Sequence, residues 1–216
     1  FVVRATQASR KRVLTKFEEA LPQCPSLQDA LYLKVDQLDD VDRHFLVERH
    51  LVSRELISHP DQRAVAISSG EMVSIMANEE DHLRLQVIQS GLTLGSAWDV
   101  VDCIDDELAQ VLSYAYSSEW GYLTCCPTNT GTGLRGSVML HLPALVITKQ
   151  INKVLHTITK LGLAARGFYG EGTEATGNFF QISNQVTLGR TEVELIENIE
   201  RILMQVIEHE HSAREA

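Results

Sequence analysis

Residues 63 to 88 constrain the fold more than any other stretch. RAVAIS (63–68) and MVSIMA (72–77) are apolar runs on either side of Ser69-Gly70, and HLRLQVI (82–88) follows closely. This spacing predicts an antiparallel hairpin over 63–77 with a third strand beside it. Connections so short leave no room for the crossover that a parallel pair needs. LYLKV (31–35), LRGSVMLHL (134–142) and stretches near 163–169 and 178–183 add further strands. Helical spacing is expected over 8–21, 38–52 and 96–116, from Pro143 to a stop at Gly162, and after the capping box Thr191-x-x-Glu194. The expectation is an α+β fold, a mostly antiparallel β-sheet flanked by helices on one side, in a single domain over 1–216. Trp98 and Trp120 are assigned to packing.

Charge and cysteine usage then exclude several function classes. A net charge of −10 repels nucleic acid and favours basic partners, so a protein of this kind that handled ATP would have to cluster its arginines. With no apolar run of about eighteen residues and no signal peptide, a cytoplasmic protein without membrane contact is expected. The cysteines at 24, 103, 125 and 126 lack zinc spacing, and no H-E-x-x-H occurs, so reduced thiols and no transition-metal site are expected.

GTGLRG (131–136) reads G-x-G-x-x-G, which invites a nucleotide-loop interpretation. The dinucleotide fingerprint lies between a strand and a helix of a parallel unit, whereas this one leads into a strand. A protein-kinase glycine loop needs V-A-I-K, H-R-D and D-F-G downstream, and a Walker A loop needs its lysine; all are missing. Its glycines are expected to keep a turn compact.

Read with that loop, NEEDHLR (78–84), CPTNTGTGLRGSVMLHLPAL (126–145) and RGFYGEGTEATGNFFQISNQVTLGRTE (166–192) resemble the ATP:guanidino phosphotransferases. R-G-x-Y-G-E-G with F-Q-I-S-N-Q is most similar to the bacterial protein-arginine kinases among them. The resemblance implies the catalytic-domain fold shared by guanidino kinases and glutamine synthetase. It further implies ATP with Mg²⁺, protein substrates with exposed arginines, and a Clp-type chaperone and protease system as partners, with homodimerisation of the full-length protein left open.

A guanidinium is planar, protonated and a poor nucleophile, so carboxylates must orient it and take its proton. By resemblance these are Glu80 and Glu171, with Cys126 and Thr128 orienting the substrate. Arg84, Arg135 and Arg166 match phosphate-holding positions, and His50 matches a nucleotide-contacting histidine. Gly136, Ser137, Val138 and Met139, with Gly167, Phe168, Tyr169, Gly170 and Glu171, fall in the matching ATP-binding segments. Asp81, His82, Asn129 and Glu174 are expected to shape loops, and Cys125 to be packed.

The chain shows no match to the family's upstream arginine-rich segment or its C-terminal helical domain, so weak ATP binding by this stretch alone is expected. Two other functions stay open: a phosphagen kinase acting on free arginine or a relative, and an inactive module that binds arginine or phosphoarginine.

Overall fold

RAVAIS and MVSIMA are apolar at successive positions, so strands made from them present apolar side chains to both faces. In the computed structural model, which describes residues 2–167 and 176–215, the sheet they form is accordingly covered on both faces. Among the described residues, β1 (Leu31–Lys34), β2 (Ala64–Ile67), β3 (Val73–Ala77) and β4 (Leu83–Val87) make a four-stranded antiparallel sheet in that order. The helices accompanying it are α1 (Gln7–Ala20), α2 (Asp40–Glu48), α3 (Arg54–Ser58) and α4 (Leu94–Val111). Ala64, Ala66 and Ile75 pack with Phe17 of α1 and Ile104 and Leu108 of α4. Val65, Ile67 and Met76 pack on the other face with Leu46 of α2 and Leu56 of α3. Helices on one side only was therefore the wrong expectation for this sheet, because alternation in β2 and β3 leaves neither face polar.

These elements belong to one compact unit, Phe1–Ala115 with Thr124–Cys126; the other comprises Tyr116–Leu123 and Pro127–Ala216. In the second unit β5 (Tyr116–Ser117) and β6 (Gly121–Tyr122) pair as a hairpin. The Ser117 hydroxyl accepts the Glu119 and Trp120 amides in its turn. Trp120 is half-exposed there rather than packed. β7 (Ser137–His141) leads to α5 (Pro143–Ile147), α6 (Ile151–Lys160), β8 (Leu163–Gly167), β9 (Phe179–Asn184) and α7 (Glu192–Glu215). The three longer strands form an antiparallel sheet ordered β7-β9-β8.

Three helices differ in extent from their expected spans. The one expected over 96–116 stops at Val111, where Leu112 is already extended. The one expected from Pro143 to Gly162 is broken at Lys149, which takes a left-handed φ of 59° while the Gln150 amide donates to the Leu145 carbonyl. The one over 38–52 ends in the same manner: His50 has φ 57° and the Leu51 amide donates to the Leu46 carbonyl. This six-to-one closure satisfies a helix's last carbonyls, and a β-carbon in that region costs on the order of 1 kcal/mol. The last helix starts as expected, the Thr191 hydroxyl accepting the Glu194 amide and the Glu194 carboxylate accepting the Thr191 amide.

Candidate active site

The four residues of NEED occupy the turn between β3 and β4, and each meets a different environment. Asn78 is fully buried at φ 60°, a region asparagine tolerates. Its amide donates to the His82 carbonyl at 3.0 Å, and its Nδ2 donates to the carbonyls of Arg10 and Gln62 at 3.0 and 2.9 Å. Glu79 is 5% exposed. It accepts from the Ser53 hydroxyl at 2.5 Å and from Arg84 Nη1 at 3.1 and 3.4 Å. Ser53 Oγ also accepts the Leu56 amide and so caps α3. Glu80 stands exposed at the tip, and Asp81 Oδ1 accepts the Cys125 amide at 2.5 Å.

Burial thus separates two adjacent acids by role. Glu79 anchors a guanidinium that remains 48% exposed, while the Glu80 carboxylate faces solvent. The exposed His50 turns its carbonyl to Gln86 Nε2 at 2.6 Å. Cys126 is half-buried, and its carbonyl accepts the Thr124 hydroxyl at 2.6 Å. Burial pushes the Cys125 thiol above its ordinary value, an effect the Val2 amide on its sulfur opposes and Asp81 reinforces. Cys125 is therefore a neutral, partly packed thiol.

In the second unit, Thr128 is exposed and its carbonyl, like that of Thr130, lies 2.8 Å from the Thr187 hydroxyl, which the two share. Backbone approach explains the glycines of this loop. A β-carbon on Gly131 would sit 2.3 Å from the Thr187 carbonyl oxygen, and one on Gly121 would sit 2.4 Å from that of Gly131. Asn184 Oδ1 accepts the buried Gly136 amide at 2.8 Å, fixing the entry to β7. Arg135 and Met139 are exposed, and Ser137 and Val138 half-buried. Strand register sets Met139 and Arg166 on either side of Gln181, in one row across the sheet, so these three project to the same face. Gly167 pairs with Phe180 at the end of β8. Phe168, Tyr169, Gly170, Glu171 and Glu174 lie outside the described residues.

Residues 12–213 match the model of the ATP:guanido phosphotransferase C-terminal catalytic domain. The chain belongs to that family. It is 51% identical over 209 residues to a protein-arginine kinase of Desulforamulus reducens, covering 95% of this chain and 58% of that protein. A protein-arginine kinase of Brevibacillus brevis is 45% identical, with 99% and 60% covered. The chain therefore spans less than two-thirds of the length of these curated relatives. Among solved structures, the substrate-free taurocyamine kinase of Schistosoma mansoni superposes with a TM-score of 0.82 at 27% identity, over 97% of this chain and 31% of that one. Lombricine kinase, at 23% identity, shares the fold with a TM-score of 0.85, over 100% of this chain and 63% of that one. Antiparallel sheets flanked by helices are thus the guanidino-kinase architecture, and the α+β expectation holds.

Three residues that the geometry singles out were not among the expected site residues: Glu79, Gln181 and Asn78. Glu79 and Asn78 lie within NEED and Gln181 within FQISNQ, so the motifs marked the segments. Which residue of each segment turns inward is a tertiary property. Among the described residues no helix is long and apolar enough to cross a membrane.

Proposed function

We propose that the chain is the catalytic domain of a kinase that moves the γ-phosphate of ATP onto the guanidinium of arginine residues in proteins, its two units acting as one domain. Identity of 51% over 95% of the chain to a protein-arginine kinase carries this reading. The division of NEED into a buried anchor and an exposed carboxylate supports it. Glu80 and Glu171 accept paired guanidinium N–H bonds, and one of them takes the departing proton as the nitrogen attacks. The N–P bond forms as the bond from the γ-phosphorus to the β,γ-bridging oxygen breaks, and ADP leaves with the electron pair. Arg84, Arg135 and Arg166 neutralise phosphate charge in a loose transition state, with His50 and the segments 136–139 and 167–170 lining the nucleotide. Cys126 and Thr128 orient the acceptor. Mg²⁺ enters as part of the MgATP substrate, carried on the phosphate oxygens.

In this reading the protein is cytoplasmic and its mark sends proteins to a Clp-type protease, with homodimerisation of the full-length protein left open. The likeness to taurocyamine kinase favours a second reading, a small guanidino compound as acceptor. The test is to incubate the full-length protein with labelled ATP, Mg²⁺ and either an unfolded protein or free arginine. Acid-labile label on protein, abolished by Glu80→Ala, is expected. Label on free arginine alone, or none on either acceptor, would overturn the proposal.

A further inference from the structure

The bond from the Cys125 amide to Asp81 Oδ1, 2.5 Å long, joins positions 44 residues apart within the first unit. On one side it holds the NEED turn, whose tip is Glu80; on the other it holds the loop of Cys126. Two of the residues assigned to the acceptor guanidinium, Glu80 and Cys126, are therefore covalent neighbours of the two ends of this bond. Further attachments of the two loops run elsewhere. Asn78 ties the root of the turn to the Arg10 and Gln62 carbonyls, Thr124 closes on the Cys126 carbonyl, and Val2 reaches the Cys125 sulfur.

We infer that Asp81 is a positioning residue that sets the spacing between the Glu80 carboxylate and the Cys126 thiol, and hence the fit of the acceptor guanidinium. The inference rests on the guanidinium-transfer reading above for its functional consequence, and on geometry alone for its structural one. A carboxylate accepting a backbone amide needs only an oxygen there, so the asparagine variant keeps the link and the alanine variant loses it. Misplacing a reacting group by about 1 Å costs on the order of 100-fold in rate. Loss of the link therefore acts on the acceptor side and leaves nucleotide affinity alone.

The experiment compares Asp81→Ala and Asp81→Asn with the wild type in the full-length protein, by two readouts. The first is kcat/KM for the unfolded-protein acceptor beside KM for ATP. Asp81→Ala should lower the acceptor kcat/KM by about 10- to 100-fold with KM for ATP within twofold, and Asp81→Asn should restore most of it. The second, which needs no phosphoryl transfer, is the rate of Cys126 alkylation by iodoacetamide, followed by tandem mass spectrometry with fragment ions that place the added group on Cys126 rather than on the adjacent Cys125. Asp81→Ala should change that rate several-fold and Asp81→Asn should not. An alanine variant indistinguishable from wild type in alkylation would overturn the structural role, whether or not arginine is the acceptor. An asparagine variant as impaired as alanine would show that the charge acts, not the link. Should the wild type phosphorylate no arginine, the alkylation readout still decides the structural claim, while the function proposal alone fails.

Discussion

Glu79 and Glu210 are both buried carboxylates, 5% and 2% exposed, and each is paired with an arginine whose side chain is about half exposed, Arg84 and Arg214. Their other partners differ. Glu210, on α7, accepts the Ala144 and Leu145 amides at 3.0 Å each, so it caps the first turn of α5 just after Pro143. Glu79 accepts a side-chain hydroxyl, Ser53, which itself caps α3. Removal of Glu210 strands two backbone donors, the Ala144 and Leu145 amides. Removal of Glu79 strands chiefly Arg84, a residue the function proposal assigns to phosphate. The same chemical unit thus serves architecture in one region and presents a cation in the other.

The largest expected effect breaks the comparison on the structural side. Glu210→Ala leaves two buried amides unpaired, at about 2–3 kcal/mol in total, which for a chain of this size lowers Tm by roughly 5–10 °C. Thermal unfolding of the full-length protein checks it, and the activity of the remaining folded fraction should be unchanged. A shift under 2 °C would place Glu210 with ordinary surface acids. Next is Glu79→Ala, expected to lower kcat/KM for ATP by about tenfold while costing roughly 1 kcal/mol of stability, because Arg84 and Ser53 can both turn to water. Glu79→Gln keeps an acceptor and should fall between. If Glu79→Ala matched Glu210→Ala in unfolding and spared ATP kinetics, the distinction between the two carboxylates would collapse.

Local signals carried far into this structure, and long-range ones did not. The hairpin of β2 and β3 and the capping box at Thr191 and Glu194 were legible because period and spacing lie within a few residues. Nothing local marks Glu210, since its partners at 144 and 145 lie 66 and 65 positions away. Asp81 and Cys125 were in sight as neighbours of motif residues, yet nothing local pairs them. The breaks at His50 and Lys149 escaped because apolar spacing continues through both. A left-handed residue is set by closing carbonyls, not by a glycine that could be seen. Within NEED the motif marked the segment, while the choice of Glu79 over Glu80 as the buried acid came from Ser53 and Arg84.

The smallest expected effect sharpens the comparison through pH. Burial raises the Glu210 carboxyl, but the hydrogen bond from Arg214, the Leu145 and Ala144 amides and the Arg214 charge outweigh it, so its pKa lies below the ordinary 4.5. A carboxyl depressed on folding contributes stability that is fully present above the unfolded value and is lost as pH falls through the folded one. Wild-type stability relative to Glu210→Gln should therefore be constant from pH 7 to about 5 and shrink below 4.5. Urea unfolding at pH 7, 5 and 4 measures the difference. The glutamine variant does not titrate and lacks one of the two amide acceptors at every pH, so the pH-dependent part of the difference reports protonation of Glu210 alone. A gap between the two proteins that widened on acidification would mean that Glu210 is held protonated in the fold, and that its bonds to α5 are not those of a carboxylate.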